Sequence, residues 1–209
     1  MNPRSIEALV LGVGNVLWAD EGFGVRAVEA LHEGYECPEG VLLLDGGTQG
    51  LSLMEHICAS RRLILFDAID FNLVPGTLRV LRGDAVPAWA SGKLSPHQTG
   101  INDLLALAAI RGRAPEETVL IGVQPVELSD FGGSLRGPVK ARIPEAVTVA
   151  VRQLAAWGFP PRARRVAPTE RLISAALSLQ AYEDGRPPDA SACRTGDSRF
   201  LSRQKGGIA

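Results

Sequence analysis

The chain is poor in the residues that several protein classes require. It has three lysines among 209 residues, so arginine carries nearly all the positive charge, and the net charge is −1. Residues 1–151 hold 12 basic and 18 acidic side chains, a balance of −6, while 152–209 hold 10 and 5, a balance of +5. An acidic body of this kind argues against a nucleic-acid groove, which needs clustered Lys and Arg to displace counterions from phosphates. The cysteines are only Cys37, Cys58 and Cys193. They are odd in number, far apart and in no CxxC pair, which excludes a disulfide framework and a cysteine-based structural zinc site and points to a reduced, cytoplasmic compartment. The longest early apolar run, Ala8 to Val13, is too short for a signal peptide or for the ~20 residues of a membrane span. No GxSxG elbow and no HExxH pair are present, and Cys58 has no evident base nearby.

What is present is the composition of a folded globular chain, 45% hydrophobic and 22% charged. The run from Ala8 to Val13 lacks period-two alternation, the mark of a strand buried on both faces of a parallel sheet. Val41 to Asp45, Leu63 to Asp67 and Thr118 to Val123 repeat it. Thr77 to Leu81 follows a Pro75-Gly76 turn and reads as an antiparallel neighbour. Between these lie helical patterns. One has Asp20 as N-cap and Val25, Val28 and Leu31 on a stripe. A short one covers Leu51 to Cys58. A third starts at a Ser95, Pro96, Gln98 capping box and runs to about Ile110. The last is opened by Pro144, with Val147, Val151 and Leu154 on one face. The alternation predicts an α/β fold, a three-layer α/β/α sandwich around a twisted, mostly parallel five-stranded sheet. Beyond Trp157 the composition turns Pro- and Arg-rich. The expected organisation is a domain over 1–160 and a basic extension over 161–209, with one helix at 169–183 and disorder after it.

In open α/β sheets ligands bind beyond the carboxyl ends of the strands. Glu21 follows the first strand, Asp45 ends the second, Asp67 ends the third, and His97 falls at the second position of a helix. Each has an ordinary explanation: an acid in a first helical turn complements the dipole, worth ~0.3–1 kcal/mol, an aspartate at a strand end caps a turn, and a surface histidine decorates. Position adds weight. A helix N-terminus keeps imidazole neutral and free to bind metal, and Gly22 and Gly24 in the first turn are costly unless something approaches closely, which a substrate would explain. One imidazole and two carboxylates suit a borderline divalent metal such as nickel or zinc with open positions. His32 and His56 lie inside helices, away from any strand end. A dinucleotide site fits less well: the Gly12-x-Gly14 pair lacks its third glycine, because Leu17 stands there, and Asp45 lies 31 residues after Gly14 rather than about 20.

Taken together, the segments LVLGVGNVLWADEGFGVR at 9–26, DGGT at 45–48, FDAID at 66–70 and SPHQTG at 95–100 closely resemble the nickel-iron hydrogenase maturation endopeptidases, over about residues 6–158. The resemblance implies an enzyme that removes a C-terminal extension from the nickel-loaded precursor of the hydrogenase large subunit, here of the uptake type. By motif position, Glu21, Asp67 and His97 are implied metal ligands that recognise nickel carried by the precursor. Asp45, Gly46, Gly47, Thr48 and Gln49 are the implied substrate-recognition loop, continued by Gly50. An aspartic-type or metal-dependent protease follows. The catalytic group is left open between water activated at the metal and the carboxylates of Glu21 and Asp67. A noncatalytic assembly chaperone and an oxidoreductase are the alternatives. The expected protein is a cytoplasmic monomer, with the precursor as partner and nickel as the associated metal.

Overall fold

The computed structural model describes residues 4–83, 85–86 and 99–186. Its central sheet has five strands: β1 (Ile6–Val13), β3 (Val41–Gly47), β4 (Ser60–Ala68), β5 (Leu78–Arg82) and β6 (Glu117–Val123). They lie in the order β3-β1-β4-β6-β5. All pairs are parallel except β5 with β6. Helix α1 (Phe23–Gly34) leads to β2 (Tyr35–Glu36), and α2 (Met54–Ala59) precedes β4. Helix α3 (Thr99–Ile110) precedes β6, and after it come α4 (Gly137–Lys140) and α5 (Ile143–Ala156).

The strand side chains show why the runs are apolar without alternation. Ala8 and Val10 of β1, Ile64 and Phe66 of β4, and Val119 and Ile121 of β6 point into a core shared with Phe23, Ala27 and Leu31 of α1 and Ala150 and Leu154 of α5. Their sequence neighbours Leu9, Leu11, Leu63, Leu65 and Leu120 point the other way, against Met54 and Ile57 of α2 and Ile101 and Leu104 of α3. Both faces are covered, so the central positions of β1, β4 and β6 are buried and non-polar throughout, while the charged residues Glu7, Arg61, Arg62 and Glu117 stand near the strand starts. The three-layer α/β/α sandwich expected from the sequence is the observed one.

Three local expectations change. Asp20 is not the cap of α1: residues Ala19–Gly22 form a 3-10 turn, α1 starts at Phe23, and the Asp20 side chain turns away to accept hydrogen bonds from another loop. The strand after the Pro75-Gly76 turn is antiparallel as expected, but its partner is β6 and not the preceding β4, whose free edge β6 already occupies. The helix expected over 169–183 is broken into a 3-10 turn at Ala175–Leu177 and α6 (Leu179–Asp184). Ser178 between them is extended (φ −55°, ψ 149°) and its hydroxyl accepts from Ala181 N, so it starts a new helix rather than continuing one. The segment after α5 lies on the fold. Arg162–Ala163 (β7) pairs with β2, Arg164 Nε donates to the carbonyls of His32 and Tyr35 at 3.0 Å, and Ile173 is buried.

Candidate functional site

The strand order places the site. From β1 the chain crosses to β3 on one side, and β4 then lies on the other, so the order reverses at β1. The crevice of such sheets opens beyond the carboxyl ends of the strands at that reversal. Glu21 follows β1 there, Asp67 is the penultimate residue of β4, and β1 and β4 run in register as far as Gly12 beside Phe66. Both acids are buried.

The glycines explain how the two segments come so close. A Cβ on Gly24 would lie 2.2 Å from both Phe66 O and Val13 O, and one on Gly14 (φ +123°) would lie 1.8 Å from Glu21 O. Only glycine lets the DEGFG segment settle onto the ends of β1 and β4. Approach by a substrate, expected from the sequence, is not what Gly22 and Gly24 accommodate. Instead, the protein's own chain fills the space, with Val16 Cα 2.9 Å from a Cβ on Gly22. The same crowding removes the dinucleotide reading, since a Cβ on Gly12 would lie 2.3 Å from Gly24 O, where a pyrophosphate would need room.

Asp67 is strongly perturbed. Burial pushes its carboxyl well above the ordinary 3.8, a hydrogen bond from the Ala68 amide opposes this, and the negative charge of Glu21 pushes it further up. A buried carboxylate beside a second acid favours whatever brings positive charge, a proton or a metal cation. Two oxygen donors at a crevice suit a divalent ion as part of a larger set. No group of three His, Cys, Asp or Glu that could hold a metal occurs among the described residues, and His97 lies outside them, as do Ser95, Pro96 and Gln98.

The loop at the end of β3 borders the same crevice. Gly12 pairs with Asp45 and Val13 with Gly47 across a bulge, and Gly14 N donates to Gly47 O at 3.0 Å. Asp45 Oδ1 accepts from Gly47 N at 2.9 Å, and Gln49 Nε2 donates to Asp45 O at 3.1 Å. Burial raises the Asp45 carboxyl, against the pull of the Gly47 amide and the Arg26 charge. Gly46 is buried against Leu11, while Thr48 and Gln49 are exposed.

Sequence reasoning missed the residue that holds the site's wall. Asp20 is fully buried; its Oδ2 accepts from Val126 N (2.8 Å) and Glu127 N (3.0 Å), and its Oδ1 from Arg136 N (2.7 Å). It ties the loop after β6 to the residue beside Glu21. Ala19 just before it sits at φ +42°, a left-handed strain on a non-glycine residue of ~1–2 kcal/mol that these charge-assisted bonds offset. Trp18 packs edge-on to Phe131 at 5.3 Å, and Gly132 N donates to Leu17 O. Gln124 does similar work for the loop after β4: its Oε1 accepts from Phe71 N and Leu73 N, and its Nε2 donates to Asp70. The only sequence signal for Asp20 was an acid adjacent to Glu21, which suggests a cap as readily as an anchor.

Comparison with known proteins agrees with this architecture. Residues 25–153 match the family described as HycI, hydrogenase maturation protease. The chain is 54% identical over 197 residues to the hydrogenase expression/formation protein HoxM of Azotobacter vinelandii, covering 94% of this chain and 95% of that one. It is 42% identical over 159 residues to the hydrogenase 2 maturation protease of Escherichia coli, covering 74% and 96%. Among solved structures, the hydrogenase maturating endopeptidase HybD from E. coli superposes with a TM-score of 0.72 at 39% identity, covering 76% of this chain and 98% of its own. The chain belongs to the hydrogenase maturation protease family.

Proposed function

We propose that the protein cleaves the C-terminal extension from the nickel-loaded precursor of a nickel-iron hydrogenase large subunit, of the uptake type, in the cytoplasm and as a monomer. The observation that carries this reading is the meeting of Glu21 and Asp67 at the crevice between β1 and β4, in a chain of this family. Glu21, Asp67 and His97 are the residues proposed to meet nickel held in the precursor. Nickel is here part of the substrate.

The chemistry follows from the electrostatics. Before substrate arrives, Asp67 resists ionisation because it is buried and faces Glu21. A precursor that brings a cation removes that resistance, so docking is coupled to release of a proton. A precursor without metal offers no such gain and leaves the acids in their unfavourable state. Recognition thus doubles as a check that the metal centre is assembled. The loop from Asp45 to Gln49, with Thr48 and Gln49 exposed, lies alongside β1 and is proposed to hold the segment to be cut. Peptide hydrolysis needs one group to take a proton from water and one to give a proton to the leaving amine, and two neighbouring carboxyls, one of them with its affinity for a proton raised by burial, are suited to both tasks. This supports an aspartic-type or metal-assisted peptidase.

Purified protein mixed with nickel-loaded precursor should release a C-terminal fragment detectable by mass spectrometry, and nickel-free precursor should not be cut. Glu21→Gln, Asp67→Asn and His97→Ala should each abolish release. Formation of a complex with no fragment released would mean that the protein is a chaperone and not a peptidase. Full activity in all three variants would remove the site assignment.

A further inference from the structure

The E. coli HybD structure is matched over 98% of its length by 76% of this chain, so it has no counterpart for about a quarter of the residues, whereas the HoxM relative spans nearly the whole. Among the described residues, the contacts of the segment after α5 converge on one loop. The Glu183 carboxylate accepts from Ser134 Oγ at 2.8 Å and pairs with Lys140 Nζ at 2.7 Å. The Tyr182 hydroxyl donates to Gly133 O at 3.4 Å. Arg26, buried in α1 and paired with Glu29 at 3.0 Å, donates to Leu177 O and stacks over the Tyr182 ring. Gly133, Ser134 and Lys140 flank Arg136, whose amide is bound by Asp20. The connection therefore runs from the C-terminal segment through the loop after β6 to Asp20 and so to Glu21.

We propose that this segment is a brace for the recognition site and that Glu183 is a positioning residue, holding the 126–136 loop against Asp20 and thereby setting Glu21 for the precursor. The segment is attached by these polar contacts and by Leu172 and Leu179, which are partly buried against the core. Ile173 is its one buried apolar side chain among the described residues, and a solvent-open cavity of about 690 Å³ lies between it and α1, lined by Arg26, Glu29, Lys140 and Leu179 among others. With one apolar side chain buried and two more partly buried, the charge-assisted bonds contribute to keeping the segment seated. Burial pushes the Glu183 carboxyl up, but its bonds to Lys140 and Ser134 bring it below the ordinary value, so the contact forms with the charged group.

The kinetic part of the test rests on the peptidase reading; the exchange part does not. In the full-length protein, Glu183→Ala should speed hydrogen exchange at the amides of Val126, Glu127 and Arg136 by about tenfold, as expected when a local opening becomes easier. It should also raise KM for nickel-loaded precursor by about threefold or more with kcat held within about twofold, because binding geometry and not chemistry is disturbed. Glu183→Gln, which keeps an oxygen for Ser134 and Lys140, should fall between Ala and wild type in both. Unchanged exchange at those three amides would overturn the brace, as would an unchanged KM in a protein that cleaves precursor. If wild type releases no fragment, the peptidase reading fails, and the exchange result alone still decides the brace.

Discussion

Asp20 Oδ1 accepts the backbone N–H of Arg136 at 2.7 Å, so a loop more than a hundred residues away in the chain hangs on the neighbour of Glu21. The two adjacent acids divide the work: one is satisfied by three amides inside the fold, and the other sits at the crevice with Asp67.

The first prediction concerns that anchor. Asp20→Asn keeps the volume but replaces one acceptor oxygen with an amide that faces N–H donors. It should destabilise the protein by about 2–4 kcal/mol in urea unfolding, the cost of leaving buried donors unsatisfied beside a polar group of the wrong kind. A loss below about 1 kcal/mol would show that the loop does not depend on Asp20.

A second follows from the raised carboxyl of Asp67. Below 3.8 the group is protonated in folded and unfolded chains alike and has no effect on stability. As pH rises through the folded-state value, the unfolded chain has already lost its proton while the folded chain must ionise a buried group, so ionisation destabilises. Asp67→Asn should therefore be more stable than wild type near about pH 7, with the advantage shrinking as pH falls toward 3.8. Thermal unfolding across pH tests this, and an advantage independent of pH would refute the electrostatic origin.

A companion measurement separates the causes of that shift. Because the negative charge of Glu21 helps to raise Asp67, Glu21→Gln should lower the Asp67 titration midpoint, read by carboxyl carbon NMR, without returning it to the ordinary value, since burial is the larger cause. An unmoved midpoint would mean that the two acids do not sense each other.

The glycine contacts give a paired test. Gly24→Ala places a methyl 2.2 Å from two backbone oxygens and should cost at least about 2 kcal/mol through forced separation of α1 from the ends of β1 and β4. Gly34→Ala, with nothing within 4 Å, should be neutral or stabilising by up to about 1 kcal/mol. Equal effects at the two sites would contradict the packing argument.

Cys37 offers a check on burial away from the site. Desolvation lifts its thiol from 9.0 to about 11, against the pull of the Arg164 charge. Iodoacetamide near about pH 8 should label Cys37 far more slowly in the native protein than in urea, since the thiolate is the nucleophile. Equal rates would show that the thiol is not shielded.

The strands and the layers were readable from residue types alone. A run such as Leu9 to Val13 has no polar position to give to water, so it must be covered on both faces, and strands alternating with amphipathic segments allow few architectures. That Glu21 and Asp67 lie beyond or at the carboxyl ends of buried strands was readable too, and acids there stand at the edge where such sheets bind ligands. Other features could not be read in this way, because they depend on which distant segment arrives next to a given residue. Asp20 looks like a helix cap until the 126–136 loop comes within hydrogen-bonding reach. Gly24 looks like a concession to substrate until Phe66 O is found against it. Leu172, Ala176 and Leu179 have helical spacing, and Leu172 and Leu179 do pack against the core, but the segment is also held by polar bonds to Ser134, Lys140 and Arg26, and Ser178 begins a new turn. Local sequence thus determined what each segment prefers and which faces it must bury. The tertiary structure decided which preferences prevail, because a buried hydrogen bond or a contact too close for a Cβ exists only once both partners are in place.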